Sequence, residues 1–227
     1  MSYLLNIHTT LENAIVNLSQ GNQVLSTLNN SDPRQHAAFL HSSIHQILQE
    51  NDILTTSLNA IAVTGGPGSY TGIRVGLATV KGLCFALKIP MIMMNTLELL
   101  AFSAIENTSN KNAFYCPMID ARRMEIFTSV YDAQLNPIIQ PAAMVLVENS
   151  FDNLIQNHPI FFFGSGAEKF KNIINNPKAN YHFIDDQLST FVLAEFAWQK
   201  FQKNEFEDIA ASKAFYAKEF YSNSKFG

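Results

Sequence analysis

The residues most able to do chemistry lie in a glycine-rich turn over residues 64–72, which reads TGGPGSYTG. An apolar strand is expected before the turn and a helix after it. Because glycines allow the backbone to approach a ligand closely, and the first turn of a helix has free N–H groups, this arrangement suits a phosphate group. The spacing fits neither the GxxxxGK[ST] of a P-loop nor the GxGxxG of a dinucleotide site. A purely structural turn therefore stays an equal alternative.

A second candidate for anion binding is the pair Arg122 and Arg123, which follows Asp120 at the end of a predicted strand. The planar guanidinium group matches the oxygens of a phosphate, whether in a small anion or in RNA. An ion-pair network at a junction between two lobes would use the same residues, so this alternative stays open. A later turn, residues 164–166, reads GSG and opens a helix as the first glycine turn does.

Three histidines, His36, His41 and His45, share one predicted helix, and the last two have a four-residue spacing that can hold a metal ion. No acidic or cysteine ligand stands beside them, which favours a partner-facing or solvated flank, and no metal site is predicted. Cys84 and Cys116 do not form a CxxC pair. We therefore expect two buried thiols in a reducing compartment.

The composition limits the class of protein. The chain has 227 residues, of which 47% are hydrophobic and 15% charged, and its net charge is −4. Such a chain folds as one large globular domain or two smaller lobes. The negative charge argues against binding nucleic acid unaided, because proteins that do so generally have a basic face. No signal peptide is evident and Pro90 interrupts the most apolar run, so we expect a cytoplasmic protein that does not enter the membrane.

The elements that must position these residues occur twice in the same order: three strands, a helix, a strand and a helix. Alternating apolar residues mark the strands, and apolar residues three or four apart mark the helices. In the first half we predict strands at 4–9, 14–19, 23–28, 58–63 and 91–94, and helices at 35–49, at 73–88 and from 96. In the second half we predict strands at 113–119, 125–131, 138–147, 160–163 and 181–184, and helices at 151–156, 168–174 and 189–202. The predicted domains are residues 1–107 and 108–227, and residues from 204 onwards receive no assignment.

The helix predicted over residues 73–88 is apolar around most of its circumference. Small residues such as Ala78 and Gly82 would let a second helix approach closely. Arg74, Lys81 and Lys88 are seven residues apart and form one narrow line of cations along it. Such a helix is either buried in the core or shared with a partner, and the sequence leaves both alternatives open.

Three segments together resemble the TsaB (YeaZ-type) family. They are GGPGSYTGIRVGLATVKGLCFALKIPMIMMNTLELLA at 65–101, IDARRMEIF at 119–127 and FGSGA at 163–167. The resemblance continues in order from residue 4 to about residue 170. It implies an α/β fold of the actin-like ATPase (ASKHA) superfamily, with two duplicated RNase H-like lobes, each a mixed sheet flanked by helices. The repeated order of elements agrees with this fold.

The resemblance also implies a function. Members of this family are non-catalytic scaffold subunits that pair with a TsaD-type transferase in the threonylcarbamoyladenosine modification of adenosine 37 of tRNA. The partners implied are that transferase, a TsaE-type ATPase and, for the chain alone, a second copy, whereas tRNA would be contacted only through the complex. The chain alone would need no cofactor, and ATP or ADP would bind the assembled complex. The alternative is a small-molecule kinase or ATPase of the same superfamily.

The positions that carry the metal ligands and the acid in catalytic relatives predict that this chain has no catalytic residue. The catalytic relative has a metal-binding HxExH-type motif after the proline that follows the long helix, and its two histidine positions correspond here to Thr96 and Leu100. Active members of the superfamily have an acid on the first strand, where this chain has His8. Ser69 is not part of a GxSxG motif, and no base for a catalytic triad is evident.

The resemblance assigns the remaining candidate residues to three sites. Helices 35–49 and 73–88 would form the partner interface, with His41, Ile44, Arg74, Leu77, Ala78, Lys81 and Phe85. Vestigial nucleotide or phosphate turns would contain Gly66, Gly68, Ser69, Gly164 and Gly166. The candidate tRNA or phosphate contacts are Arg122 and Arg123.

Overall fold

The chain builds one type of mixed sheet twice. The computed structural model describes residues 2–32, 35–154, 158–175, 178–186 and 188–218. In each sheet three antiparallel strands form a meander, and two later strands join in parallel beside the first of them. The first sheet has the order β3-β2-β1-β4-β5, with β1 (Tyr3–His8), β2 (Ala14–Gln20), β3 (Gln23–Asn30), β4 (Leu58–Thr64) and β5 (Met91–Met94). The second has the order β10-β9-β6-β7-β8, with β6 (Phe114–Asp120), β7 (Glu125–Tyr131), β8 (Pro137–Val145), β9 (Ile160–Phe163) and β10 (Tyr181–Phe183).

The second sheet has the strand arrangement of the first, read from its other edge. This arrangement is RNase H-like, and the predicted fold class is confirmed. The α-helices of the described residues are α1 (His36–Glu50), α2 (Tyr70–Leu87), α3 (Thr96–Thr108), α4 (Ala167–Ile173) and α5 (Thr190–Gln202).

Helices α1 and α2 cover one face of the first sheet. Successive side chains of a strand point to opposite faces, and on this face Leu5 and Ile7 of β1 meet Leu40 of α1 and Val80 of α2 in one core cluster. The two helices therefore lie side by side against the sheet, and their outer surfaces face away from it.

The last helix of each half packs on the sheet of the other half. Leu193 of α5, from the second half, packs against Leu4 of the first sheet. Leu97 of α3, from the first half, packs in one cluster with Tyr115 and Tyr131 of the second sheet. The two helices also touch, and the rings of Phe102 and Phe196 are 5.1 Å apart. The predicted division of the chain near residue 107 stays a prediction.

Two helices differ from their predicted bounds. Helix α2 begins at Tyr70 rather than at residue 73, because Ser69 caps it: the Ser69 side chain accepts a hydrogen bond from the N–H of Gly72 at 3.2 Å. The helix predicted over 151–156 is a single 3₁₀ turn at Asp152–Leu154, and residues 155–157 lie outside the described residues. None of the helices in the described part of the chain combines the length and apolar character needed to cross a membrane.

Candidate functional site

The outer surface of α2 is exposed and largely apolar. Phe85 is 79% exposed, and the small residues Ala78 and Gly82 are exposed beside it. Apart from the neighbouring backbone of α2, no atom of the described residues lies within 4 Å of the position that a Cβ on Gly82 would occupy. A partner helix could therefore approach the backbone of α2 closely at this point.

The seven predicted interface residues do not all lie on that surface. Ile44 of α1 and Leu77 of α2 are each 8% exposed and belong to the core cluster beneath it. His41 and Arg74 are exposed, whereas Lys81 is half-buried. The surface available to a partner is thus formed by the outer residues of α2 with the exposed side of α1 next to it.

A C-terminal segment, residues 205–218, lies along one flank of α2. The Nζ of Lys81 donates a hydrogen bond to the carbonyl oxygen of Ser212 at 2.6 Å, and the Nε of Arg74 donates to the hydroxyl of Tyr216 at 3.2 Å. The N–H of Phe215 donates to the carbonyl oxygen of Gly65 at 2.8 Å. Two of the predicted interface cations therefore hold this segment. This segment received no assignment from the sequence. Its apolar residues were the available signal, and two of them, Ile209 and Ala214, pack against the core cluster beneath α1 and α2.

The first glycine turn packs tightly against the corner between β1 and β2. A Cβ on Gly68 would overlap the carbonyl oxygen of Thr10, and a Cβ on Gly72 would overlap that of Thr9. The N–H of Ser69 donates to the Thr10 carbonyl oxygen at 2.8 Å, and the N–H of Gly65 is also bound, to a β5 carbonyl. Several amides that a phosphate site would direct at its ligand are therefore bound within the protein.

The second glycine turn, after β9, repeats this packing. Gly164 has a φ of +90°, and a Cβ on it would lie 2.6 Å from the carbonyl oxygen of Met118 on β6. The N–H of Gly166 donates to the same oxygen at 2.9 Å. In both halves the turn thus uses its glycines to approach the first strand of its own sheet or the corner that directly follows that strand. Binding of a phosphate or nucleotide at Gly66, Gly68, Ser69, Gly164 and Gly166 stays a prediction.

The match to known proteins covers most of the chain. A family model described as TsaD, tRNA N6-adenosine threonylcarbamoyltransferase, matches residues 23–224. The TsaB tRNA threonylcarbamoyladenosine biosynthesis protein of Bacillus subtilis is 29% identical over 66% of each chain, just under two thirds of that relative's length. The TsaB protein of Buchnera aphidicola from Acyrthosiphon pisum is 24% identical over 84% of this chain and 88% of that protein. The chain is a TsaB-type member of the TsaD family.

The fold of this TsaB-type chain has a solved counterpart. A crystal structure from Pseudomonas aeruginosa, of a protein described as similar to peptidase YeaZ, superposes with a TM-score of 0.80. It covers 96% of this chain and all of that chain, at 23% sequence identity. At this identity the likeness concerns the fold alone.

Thr96 and Leu100 stand where the catalytic relative was expected to have its two metal-binding histidines. In this TsaB-type chain both are structural residues. Thr96, at the start of α3, is fully buried. Its hydroxyl donates to the hydroxyl of Thr10 at 3.0 Å, and its N–H donates to the carbonyl oxygen of Gly66 at 2.8 Å. Leu100 is 3% exposed and packs in the cluster between α3 and the second sheet. Both side chains therefore stabilise the fold at this position.

His8 ends β1 at the position where an acid was expected in active members of the superfamily. The side chain is 1% exposed, and its Nδ1 has no hydrogen-bond partner. Burial lowers the pKa of His8 to about 3, and repulsion from His36 adds to this shift. At neutral pH the imidazole is therefore uncharged and cannot replace a carboxylate that binds a metal–nucleotide complex.

The other candidate metal ligands are scattered. Among the described residues no group of three histidine, cysteine or acidic side chains could hold a metal ion. His36 is buried, with its Nε2 3.1 Å from the carbonyl oxygen of Glu12, whereas His41 is exposed. Burial raises the pKa of the Cys84 thiol to about 11 and that of Cys116 to about 12. Both thiols stay protonated and unreactive at neutral pH.

Arg122 and Arg123 lie exposed at the tip of the β6–β7 hairpin, where φ is +66° and +48°. The acids beside them are paired with lysines: Lys169 binds Asp120 at 2.6 Å, and a lysine of the C-terminal segment binds Glu125 at 2.6 Å. Partial burial opposes ionisation of Asp120, but hydrogen bonds from Lys169 and from the N–H of Arg122 lower its pKa overall. Among the described residues, neither arginine side chain forms an ion pair of its own.

Proposed function

We propose that this chain is a non-catalytic subunit that pairs, through α2 and the adjoining side of α1, with a TsaD-type transferase in the threonylcarbamoyladenosine modification of tRNA. The observation that carries the proposal is the exposed apolar surface of α2, where Phe85 is 79% exposed beside Ala78 and Gly82. Isolated soluble proteins rarely expose such a surface without using it in an interaction.

The residues at the expected catalytic positions support a non-catalytic role. Leu100 has no atom that can ligate a metal, Thr96 already donates its hydroxyl hydrogen to Thr10, and His8 is buried and uncharged at neutral pH. The same observations oppose the alternative of a small-molecule kinase or ATPase, since such an enzyme needs a carboxylate near the phosphates of its nucleotide.

The proposal extends to the other members of the assembly. A TsaE-type ATPase joins the pair, ATP or ADP binds the assembled complex rather than this chain alone, and the chain without its partner forms a homodimer. Arg122 and Arg123 contact tRNA phosphates once the complex has assembled. The support for this contact is their exposure and the lysine pairing of the neighbouring acids.

A charge placed on α2 tests the pairing. We expect Ala78→Glu to abolish the one-to-one heterodimer with the same organism's TsaD-type subunit, because it buries an unpaired carboxylate. Such burial costs roughly 3–5 kcal/mol, which weakens binding on the order of a hundredfold or more. The measurement is light scattering on the eluting species after size-exclusion chromatography.

The matched control is Ala142→Glu, which introduces the same charge at an exposed position of β8 in the other half. This variant should pair as the unsubstituted chain does. Normal pairing by Ala78→Glu would show that a different surface is used. If the unsubstituted proteins elute apart, with and without ATP, the proposed function itself is wrong.

A further inference from the structure

The β6–β7 hairpin holds Arg122 and Arg123 in a defined position. The N–H of Glu125 donates to the carbonyl oxygen of Arg122 at 3.1 Å, which closes the turn. From α4, the Nζ of Lys169 donates to the carboxylate of Asp120 at 2.6 Å and to the carbonyl oxygen of Glu125 at 3.3 Å. Since both arginine side chains are exposed, a phosphate can reach them without a change in the turn.

Two carboxylates flank the arginines, and each would repel a phosphate if it were unpaired. Asp120 is paired with Lys169 of the neighbouring helix. The cation that pairs with Glu125 comes from the C-terminal segment, 93 residues later in the chain: the Nζ of Lys218 lies 2.6 Å from the Glu125 carboxylate. The charge that a phosphate meets at the hairpin therefore depends on the C-terminal segment.

Contacts on the first half of the molecule keep Lys218 in this place. The last of them is the hydrogen bond from Arg74 of α2 to the hydroxyl of Tyr216, and the two residues from there to Lys218 span at most about 7 Å. An exposed ion pair alone contributes little to stability, and the Lys218 and Glu125 side chains are 45% and 25% exposed. The short tether compensates for this weakness, because it keeps the ammonium group at a high local concentration beside its partner.

We infer that the C-terminal segment completes a binding surface for RNA phosphates at the β6–β7 hairpin: anchored to α2 through Arg74, it keeps Lys218 on Glu125 and so stops that carboxylate from repelling the RNA. Lys218 acts by neutralising Glu125, whereas Arg122 and Arg123 contact the phosphates. This inference rests on the proposed contact between the two arginines and tRNA. It adds that a contact made on α2, the proposed docking helix, sets the affinity of a hairpin in the other half.

The two partners of the ion pair give opposite predictions. Lys218→Gln leaves the carboxylate unpaired, so we expect it to weaken tRNA binding by the assembled complex roughly fivefold at low salt. Glu125→Gln breaks the same ion pair but removes the repelling charge, so it should not weaken binding. The double variant should bind tRNA to within about twofold of the unsubstituted chain. Fluorescence anisotropy gives the four affinities, and thermal unfolding verifies that the variants are equally folded.

The matched control is Lys213→Gln, which removes the same charge from an exposed position of the same segment. This variant should leave the affinity for tRNA almost unchanged, and equal weakening by it would overturn the inference. A loss with Glu125→Gln as large as that with Lys218→Gln would also overturn it, since the ion pair would then be purely structural. So would a double variant that recovers nothing, because Lys218 would then contact the RNA itself.

A hydroxyl group distant from the hairpin tests the anchor on α2. Tyr216→Phe keeps the ring but removes the acceptor of the Arg74 hydrogen bond. We expect it to weaken tRNA binding about twofold, and to have no effect in the Glu125→Gln background, where no carboxylate needs to be neutralised. An unchanged affinity in the first comparison, or the same loss in both backgrounds, would show that the anchor does not act through Lys218 and would overturn the inference.

The inference and the proposed function fail separately, because pairing with the TsaD-type subunit is measured by light scattering and none of the substituted residues belongs to α2. A complex that forms and binds tRNA equally in every variant contradicts the inference alone. If the complex never forms, the proposed function is wrong, and the same variants of the isolated chain with a single-stranded RNA oligonucleotide at low salt decide the inference. An isolated chain that then binds no RNA contradicts both.

Discussion

The imidazole of His8 couples the stability of the fold to pH. Its pKa is lowered to about 3 in the folded chain by burial, with repulsion from His36 adding to the effect. In the unfolded chain a histidine titrates near pH 6.5. The unfolded state therefore binds the proton more readily than the folded state. As a result, the contribution of a neutral, buried His8 to the free energy of unfolding is fully present above pH 6.5 and is lost as the pH falls towards 3.

Replacing this histidine removes the pH dependence that it causes. Below pH 6 the unsubstituted chain should lose roughly 1.4 kcal/mol of unfolding free energy per pH unit more than His8→Gln, because glutamine has similar volume and does not titrate. Urea unfolding at pH 4, 5, 6 and 7 gives the two slopes. Since slopes are compared, a constant difference in stability between the variants does not matter. Equal slopes would show that His8 can be protonated in the folded chain.

The sequence predicted where His8 lies in the fold but not that its side chain is buried. His8 could be placed at the end of the first strand because the apolar run and the following turn define that strand. Its complete burial depends on residues distant in the chain, among them His36 of α1, which no local pattern reports. For the same reason the burial of Ile44 and Leu77 was not predictable: a helical wheel gives the direction of a side chain but not the element that covers it.

Within helix α2, two glycines have opposite structural roles. Gly72 packs against the backbone of Thr9, where a Cβ would overlap the carbonyl oxygen, whereas the position beside Gly82 is open space. We expect Gly72→Ala to lower the free energy of unfolding by roughly 1–3 kcal/mol, because the backbone must shift. Gly82→Ala should raise it by about 0.5–1 kcal/mol, since alanine loses less conformational entropy in a helix.

Chemical unfolding of the isolated chain at low concentration measures both variants without interference from self-association. The two substitutions add the same methyl group to the same helix, so each serves as the control for the other. A Gly72→Ala variant as stable as the unsubstituted chain would mean that the glycine turn can move away from the β1–β2 corner.

At the level of elements, the order and type of most strands and helices were predictable, because each has a clear period of apolar residues. The start of α2 was predicted three residues late, since the cap formed by Ser69 lies inside a glycine-rich turn. The position of the C-terminal segment was not predictable, because its apolar residues indicate that it packs on the protein but not where. The segment has no periodicity, and main-chain hydrogen bonds such as that from Phe215 to Gly65 leave no signature in residue types.

On the scale of the whole molecule, charge is unevenly distributed. The net charge is −4, yet the tip of the β6–β7 hairpin presents Arg122 and Arg123 with the nearby acids already paired. Polyanion binding depends on local cations more than on the sum of charges. A contribution to tRNA binding is therefore expected from this hairpin rather than from the surface in general.

Removing both arginines tests that contribution. Arg122→Gln combined with Arg123→Gln should weaken tRNA binding by the assembled complex. It should also make the decrease of log affinity with log salt concentration less steep, by about 0.7–0.9 for each lost phosphate contact. Fluorescence anisotropy at several salt concentrations measures both effects. The control combines Lys111→Gln with Lys203→Gln, which makes the same change in net charge at exposed positions elsewhere. Equal effects of the two double variants would exclude a specific role for the hairpin.

The crossing of α5 onto the first sheet has a consequence for synthesis of the chain on the ribosome. The side chain of Asn22 in the β2–β3 turn binds Glu195 of α5, 173 residues later. At about 5–20 residues per second, translation of that stretch takes roughly 10–35 s. Once residue 94 has been made, and for the rest of this interval, the nascent chain has all five strands of its first sheet but not the helix that covers Leu4 and Ile92. The first sheet, although it is made before the second, is thus among the last parts of this chain to be completed, and its apolar face is the one that a chaperone would find exposed.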